Sequence, residues 1–431
     1  MTIICYFNAF KFSEIMRTAV SVLVITALAM LARQTEGSEV APMYRVHAFY
    51  YMWYTEPRAG GWTHWDHEVL PHWDANIKGK FPHGIRFEPP DCLHSPYYPL
   101  RGPYSSMDRE LIQQHLKEME AYGIGVLVAS WWGPPWRKGS HDTQMVNTDK
   151  RLEQVIREIE ETGSPVRVAF HLEPYEGRTK EHVYEDLTYL TKKYMGTHAL
   201  LRVNGQPVYY VYDSYKLPPG DWAQLLVRND GPWNVRGTPQ DGLFLGLWLD
   251  KDDGEQHILP AGFDGFYTYF SSDQVSYGSR VENWPLMQMW AIGRNKLFVP
   301  SVGPGYNDAK IRPWNKVSQR TRGDGGSYRT YWAAALGVGA QVVSITSYNE
   351  WGEGTQIEPA IPREPRDGCQ YLSYEPNSPY LYMEITRNSS RELGRLIASG
   401  EKGMCTMGIG GDANNAGGSE SSEGADNVSD K

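Results

Sequence analysis

Short runs of β-branched and aromatic residues recur along most of this chain, and segments with helical periodicity lie between several of them. Each run has the length of a single strand. Strands that alternate with helices predict a parallel sheet, and eight such repeats predict closure into an α/β (β/α)8 TIM-type barrel. The predicted strands cover residues 45–53, 124–131, 165–172, 207–213, 243–249, 263–269, 296–302 and 341–347.

Apolar residues recur at helical spacing between several of these runs. Leu152, Val155, Ile156 and Ile159 form one stripe, and a second stripe ends before Gly123, a predicted C-terminal cap. An open doubly wound sheet is the structural alternative, but no glycine-rich phosphate-binding sequence follows the first strand. No helical period is evident over 216–241. The predicted helices are 111–119, 152–159, 186–194 and 328–336.

The two ends of the chain differ in composition from its centre. Lys11 and Arg17 precede an apolar stretch over 19–32, which suits the core of a signal peptide and is shorter than the roughly 20 residues of a spanning helix. We expect a signal peptide or short signal-anchor, a linker, one catalytic domain, and a disordered tail rich in glycine, serine and acidic residues. These regions are 1–33, 34–43, 44–397 and 398–431.

Overall composition narrows the class of ligand. The net charge is −9 and no dense Lys/Arg tract occurs, which argues against nucleic-acid binding. The 15 Trp and 28 Tyr residues favour a carbohydrate ligand, because flat rings stack on the apolar faces of sugars. Cys5, Cys92, Cys369 and Cys405 match no zinc spacing; they allow a disulfide without identifying the pair.

Polar or aromatic residues follow almost every predicted strand, and the last strand is followed by two carboxylates, Glu350 and Glu353. In a (β/α) barrel these strand ends lie on one face, where the chemistry is usually built. Most enzymes that cleave glycosidic bonds use a pair of carboxylates as their catalytic groups. The alternative is that both glutamates are simply solvated. The shared position of the strand ends favours a glycosidase.

Several motifs, taken in order over residues 44–395, resemble glycoside hydrolase family 99, the family of endo-α-1,2-mannosidases. The resemblance implies a (β/α)8 barrel without a metal or other cofactor. The motifs are HAFYYMWY from His47, HWDHEVLPHW from His64, YPLRGPYSSMD from Tyr98, FHLEPY from Phe170, GFDGFYTYF from Gly262, PSVGPGY from Pro300, IRPWN from Ile311 and SITSYNEWGEGTQIE from Ser344.

The resemblance also implies a reaction. Members of the family act in the Golgi lumen, cut glucosylated high-mannose N-glycans internally and release a glucosyl-mannose unit with retention of configuration. The 2-hydroxyl of the substrate attacks and gives a 1,2-anhydro sugar. By match of motif, Glu350 removes the hydroxyl proton, and Glu353 protonates the leaving oxygen and later activates water. This predicts Glu350 ionised and Glu353 protonated near neutral pH.

Further side chains at the strand ends are candidates for substrate binding. Each has an alternative role: a structural amide for Asn349, an ion pair for Glu173, loop fixation for Arg312 and Trp314, and rim packing for the rest. Three histidines suggest a metal, but their intervals match no zinc motif, so we predict no metal site. The binding candidates are Tyr50, Trp132, Glu173, Tyr267, Arg312, Trp314 and Asn349, and the histidines are His64, His67 and His72.

One departure from the family affects the key loop. Vertebrate members carry histidine at the position of Gly352, so contacts to the leaving group or the pKa of Glu353 are expected to differ. The expected partner is a high-mannose N-glycan or related α-mannoside, and the expected location is the Golgi lumen, tethered through the N-terminal segment, or outside the cell. The functional alternatives are a barrel that binds glycans without cleaving them and an endo-glycosidase acting on mannan-like polymers.

Overall fold

The computed structural model describes residues 44–365 and 369–399, and it confirms the predicted parallel barrel. All the predicted strands are present, each within a few residues of its expected bounds. The strands in the described residues are β1 Val46–Tyr50, β2 Tyr98–Pro99, β3 Val126–Trp131, β4 Arg167–Leu172, β5 Arg202–Val203, β6 Gln206–Val211, β7 Leu243–Leu247, β8 Gly265–Tyr267, β9 Leu297–Val299, β10 Ser301–Val302, β11 Val343–Ile345 and β12 Ala360–Ile361.

The barrel strands pair in parallel in the order β10-β11-β1-β3-β4-β6-β7-β8-β9. Only Pro300 separates β9 from β10, and a proline has no N–H to donate to a sheet ladder. The two segments are therefore one interrupted strand, and the sheet closes into a barrel of eight strands. The closing register aligns Val46 with Val343. The short β5 and β2 pair antiparallel with β6 and β12 outside this circuit.

Amphipathic helices cover the outside of the barrel. The four predicted helices are confirmed, and Gly123 takes a φ of +79° just beyond the second helix, as a terminating glycine does. The segment 216–241 contains a helix that its short length and its prolines concealed. The α-helices in the described residues are α1 Ala75–Lys78, α2 Arg109–Ala121, α3 Asp149–Thr162, α4 Lys180–Tyr194, α5 Pro219–Leu226, α6 Leu259–Ala261, α7 Trp284–Arg294, α8 Gly326–Gly337 and α9 Leu381–Ser399.

Alternation along β1 decides which side chains enter the barrel. Phe49 lies inside, with its ring 4.7 Å from the ring of His171 and 5.6 Å from that of Tyr267. Tyr50 points outward, and its hydroxyl lies 2.9 Å from Nδ1 of His115 on α2. Because side chains alternate with period two, the next residue, Tyr51, returns to the inner side at the end of the strand.

A disulfide joins Cys92 to Cys369, with Cα atoms 5.6 Å apart, which settles a pairing that the sequence left open. It ties the connection between β1 and α2 to the segment that follows β12. Cys5 and Cys405 lie outside the described residues, as do the predicted signal segment 1–33 and the linker 34–43. Helix α9 runs to Ser399, two residues past the predicted domain end, and the rest of the tail is not described. Within the described ranges, no helix is both long and apolar enough to cross a membrane.

Candidate active site

The loop after β11 carries the two predicted catalytic carboxylates, and buried polar contacts shape it. Ser347 accepts the backbone N–H of Glu350 through its hydroxyl at 2.7 Å. Arg322 lies below the loop and donates to the carbonyls of Gly354 and Gln356 at 2.9 and 2.8 Å. The guanidinium itself sits over the rings of Tyr97, Tyr374 and Tyr382. These contacts fix the backbone from which both acids project.

Glu350 and Glu353 lie side by side at the end of the barrel. The backbone N–H of Glu353 donates to Oε1 of Glu350 at 3.2 Å. Glu350 is 6% exposed, whereas a quarter of the Glu353 side chain is exposed. Oε2 of Glu350 is buried and has no hydrogen-bond partner among the described residues. One acid is therefore enclosed with a free acceptor position, and its neighbour reaches solvent.

The two acids differ in how strongly their surroundings disfavour the ionised form. Burial, and then the charge of Glu353, raise the pKa of Glu350 well above its ordinary value of 4.5. Nη1 of Arg312 lies 3.6 Å from Oε1 of the more exposed Glu353. The direction for Glu350 is opposite to the ionised form expected from the sequence, and the protonation of the pair stays a prediction. Spacing alone showed that the two acids would repel each other, but not which of them is desolvated.

The raised pKa of Glu350 makes a prediction about stability. A carboxyl group whose pKa is higher in the folded state loses stabilising free energy as pH rises from its unfolded pKa toward its folded pKa. Glu350→Gln removes that loss, since the amide does not titrate. We expect the melting temperature of the variant, relative to that of the wild type, to rise from pH 4 to pH 8. Thermal melts across this range, with Glu353→Gln as the control, measure it; a margin independent of pH would contradict the assignment.

Arg312 is the predicted binding residue that the structure brings directly to the carboxylates. Besides its contact with Glu353, its Nη1 lies 3.2 Å from Oδ2 of Asp308. The same Asp308 oxygen accepts from the hydroxyl of Tyr306 at 2.9 Å and from Nδ2 of Asn315 at 3.0 Å. Arg312 is thus held by a buried acid and remains partly exposed toward Glu353. It can orient Glu353 and also reach a ligand oxygen.

Tyrosine rings surround the acids. The hydroxyls of Tyr51 and Tyr269 are hydrogen-bonded to each other, and the ring of Tyr269 lies 4.8 Å from that of Tyr212. Burial, followed by the charges of Glu173, Glu350 and Glu353, raises the pKa of Tyr51. The Tyr51 hydroxyl is therefore near enough to all three carboxylates to be affected by their charge. The ends of β1, β4 and β11 converge as predicted.

The structure corrects two of the predicted tyrosines. Tyr50 lies on the outer side of β1 against His115, and Tyr267 lies within the barrel with its hydroxyl 3.0 Å from Nε2 of His171. The residues near the acids are Tyr51, one position after Tyr50, and Tyr269, two positions after Tyr267. Strict alternation along β1 could have identified Tyr51. The layer that Tyr269 occupies depends on where β8 ends, which the sequence does not show to within one residue.

Glu173 and Asn349 occupy different environments. Glu173 is buried at the end of β4, where it accepts from the hydroxyl of Ser130 at 2.7 Å. Asn349 is fully buried, and its amide both accepts from the N–H of Tyr51 at 2.7 Å and donates to the carbonyl of Tyr51 at 2.9 Å. These contacts match the structural alternative for Asn349, because they join the loop after β11 to the end of β1.

The remaining candidates lie at the rim. Trp132 and Trp314 are half-buried, and within the described part of the chain neither indole nitrogen has a hydrogen-bond partner.

The three histidines are engaged in separate contacts. His64 pairs with Asp142 at 2.6 Å, and His67 contacts the carbonyl of Glu68 at 2.8 Å. His72 accepts the backbone N–H of Asp74 at 2.9 Å. Over 44–365 and 369–399 no group of three or more His, Cys, Asp or Glu residues is arranged to hold a metal ion.

A surface groove of about 610 Å³ lies behind this loop, between β12 and the start of α9. Its lining includes Tyr374, Pro376 and one carboxyl residue, Glu375. A single acid without a second carboxylate in the lining does not supply acid–base chemistry for a glycosidic bond. The described lining of this groove therefore lacks the paired acids that lie on the loop after β11.

Comparison with known proteins shows the family of the chain. The profile described as Glycosyl hydrolase family 99 matches residues 42–395. The human glycoprotein endo-alpha-1,2-mannosidase-like protein is 44% identical over 79% of this chain and 74% of its own length. The rat glycoprotein endo-alpha-1,2-mannosidase is 40% identical over 84% of this chain and 78% of its own length. The solved family 99 endo-alpha-mannosidase from Bacteroides thetaiotaomicron superposes with a TM-score of 0.73 at 36% identity, covering 81% of this chain and 98% of that structure.

Proposed function

Because this chain belongs to glycosyl hydrolase family 99 and is a glycosidase, we propose that it cleaves glucosylated high-mannose N-glycans internally, with retention, and releases a glucosyl-mannose unit. The supporting observation is the carboxylate pair at the end of the barrel. Glu350 is enclosed, Glu353 is partly exposed, and the two are joined through the Glu353 N–H at 3.2 Å. A pair of acids in unequal environments is what a reaction needing one base and one acid requires.

The first step breaks the glycosidic bond. The 2-hydroxyl oxygen of the mannose attacks its own anomeric carbon, its proton passes to Glu350, and the 1,2-anhydro sugar forms. The departing oxygen takes its proton from Glu353. Oε2 of Glu350, which has no hydrogen-bond partner among the described residues, is the acceptor available to that hydroxyl. No carboxylate attacks carbon in this route, unlike the common retaining mechanism.

The second step returns both acids to their starting forms. Glu353, now ionised, takes a proton from water as the water oxygen attacks the anomeric carbon and opens the anhydro ring. Glu350 gives its proton back to the 2-oxygen. One of the two acids is protonated at each stage: Glu353 before the first step, Glu350 after it, and Glu353 again after the second step.

Substrate binding must favour an ionised Glu350 before the first step. The raised pKa of Glu350 favours its protonated form, whereas bond cleavage needs Glu350 ionised and Glu353 protonated. A hydroxyl that donates to Glu350 stabilises its ionised form and lowers its pKa. A glycosidic oxygen near Glu353 instead accepts a hydrogen bond and so favours the protonated form of that acid. We therefore expect the substrate itself to set the productive protonation state.

The binding surface combines predicted and newly located residues. Glu173 and Tyr51 present buried oxygens to sugar hydroxyls, and Arg312 reaches past Glu353. Trp132 and Trp314 at the rim offer flat indole faces for stacking. Tyr51 and Tyr269 replace Tyr50 and Tyr267 in this proposal. Asn349 acts by holding Tyr51 in place.

The location follows from chemistry as well as from family. The cross-link between Cys92 and Cys369 is typical of proteins that fold in oxidising compartments. We propose the lumen of the Golgi, or secretion from the cell, as the site of action. The proposed membrane tether rests on the apolar stretch 19–32, which lies outside the described residues.

The decisive experiment digests a monoglucosylated high-mannose N-glycan and weighs the products. We expect one released disaccharide and a trimmed glycan, with the first-formed reducing sugar in the α configuration by NMR. Glu353→Gln serves as the matched control: it keeps the binding surface and is expected to bind the glycan without cleaving it. Release of a monosaccharide, or glycan binding without any product from the wild type, would reject the proposal in favour of another glycosidase or a glycan-binding barrel.

A further inference from the structure

The space above Gly352 is filled by side chains from other segments of the chain. A Cβ atom on residue 352 would lie 2.6 Å from Nε2 of His94, 2.9 Å from Cδ1 of Ile311 and 3.0 Å from Oε1 of Glu350. The φ angle of Gly352 is not positive, so its backbone conformation does not require glycine. The imidazole of His94, pressed against this position beside the catalytic loop, is what requires residue 352 to lack a side chain.

The segment that carries His94 is tied down on several sides. The disulfide begins two residues earlier at Cys92, and Leu93 is held at both backbone atoms. Its N–H donates to the hydroxyl of Tyr371 at 2.7 Å, and its carbonyl accepts from Nζ of Lys310 at 3.1 Å. The N–H of His94 itself donates to the carbonyl of Trp65 at 3.2 Å. The imidazole is therefore presented by a cross-linked backbone and not by a free loop.

His94 is a neutral ring with one N–H to place. The side chain is 2% exposed, and burial, followed by the charges of His67 and His64, holds its pKa well below 6.5. Nδ1 is buried without a hydrogen-bond partner among the described residues, and the Trp65 carbonyl acts on the ring in the opposite direction, raising its pKa. Nε2 borders the same space as the Glu350 carboxylate. In the first step Glu350 is ionised and only accepts, so the nitrogen that faces it must then carry the hydrogen.

We propose that His94 is a positioning residue of this active site, whose Nε2–H closes across Gly352 onto the carboxylate of Glu350 and holds it toward the substrate 2-hydroxyl. This inference rests on the function proposed above. The contact strengthens as Glu350 ionises, because a charged acceptor makes the stronger hydrogen bond. Such contacts commonly tighten when the substrate is bound.

Because position 352 borders the space that the His94 ring occupies, a histidine can be transferred from position 94 to position 352 by substitution. A side chain on residue 352 would enter the space that His94 now fills, so His94→Gly with Gly352→His delivers the same ring from the other side. His94→Gly with Gly352→Leu fills the volume with a group that cannot donate. Gly352→His alone places two rings in one space. These variants separate the loss of a hydrogen-bond donor from the loss of packing.

The test measures kcat and KM of these variants on the monoglucosylated glycan, with a thermal melt of each. We expect His94→Gly to lower kcat by roughly 10- to 100-fold, the size of one hydrogen bond to a charged group, with little change in KM. The relocated-histidine variant should recover most of kcat, and the leucine variant should not. Equal recovery by leucine and histidine, or an unchanged kcat for His94→Gly, would overturn the inference.

A second pair of variants and the activity of the wild type keep the test of His94 interpretable. If His94→Gly does not fold, His94→Gln and His94→Leu give the same comparison without a cavity, since the glutamine amide can donate from near the position of Nε2. Glutamine should then retain more kcat than leucine, and the reverse order overturns the inference. A wild type that releases no disaccharide refutes the proposed function itself, which is a different result from the failure of His94 alone.

Discussion

Glu353→Gln is expected to lower kcat on the N-glycan by about 10²- to 10⁴-fold, the contribution of a positioned general acid. In the proposed reaction the match of motif makes Glu353 the acid; its side chain is partly exposed, and Arg312 lies 3.6 Å from it. The amide of glutamine keeps the size of the side chain but has no proton to transfer. Binding of the glycan should change little, which equilibrium titration of the variant would show.

A matched variant distinguishes the two acids. Fluoride leaves without protonation, so an α-glycosyl fluoride of the released disaccharide needs a base but no acid in the first step. We expect Glu353→Gln to retain a rapid first release of fluoride and Glu350→Gln to lose it. Stopped-flow fluoride detection decides between them. The opposite pattern would show that Glu350 is the acid and Glu353 the base.

Removing the disulfide is expected to cause the largest loss of stability. Cys92 and Cys369 are 277 residues apart in sequence, so the bond restricts the unfolded chain over most of the domain. Loop-closure entropy predicts that Cys92→Ser with Cys369→Ser lowers the free energy of unfolding by about 5–6 kcal/mol. Chemical denaturation of wild type and variant measures the difference.

The control for this prediction is a reductant. It should shift the wild-type unfolding curve toward that of the double variant and leave the variant unchanged. A difference below about 1 kcal/mol would show that the unfolded chain is restricted in some other way. Because His94 follows the bond by two residues, the variant should also lose kcat at temperatures where it is still folded.

Gly352 illustrates how a departure from a family pattern is interpreted. From the sequence, this glycine predicts altered contacts near the acid, since vertebrate members carry histidine there. The structure shows an imidazole beside the same position, delivered by His94. The two residues lie 258 positions apart in the chain, so no local pattern connects them. Their relation depends on the fold that brings both segments to one face of the barrel.

Local patterns along the chain were enough to predict the barrel and the position of the chemistry. Period-two and period-3.6 repeats are set by backbone geometry, so they located the strands and helices without knowledge of their packing. The ends of parallel strands meet at one edge by topology, and Glu350 and Glu353 were found on that basis. The predicted strand 341–347 and the observed Val343–Ile345 differ only at the ends.

The tertiary structure alone decided which atoms of that edge are enclosed and what they touch. Burial made Glu350 the acid with the raised pKa, Arg312 was brought beside Glu353, and Asn349 was committed to the backbone of Tyr51. It also joined Cys92 to Cys369. Desolvation and pairing depend on distances between segments remote in the chain, and a residue pattern specifies neither.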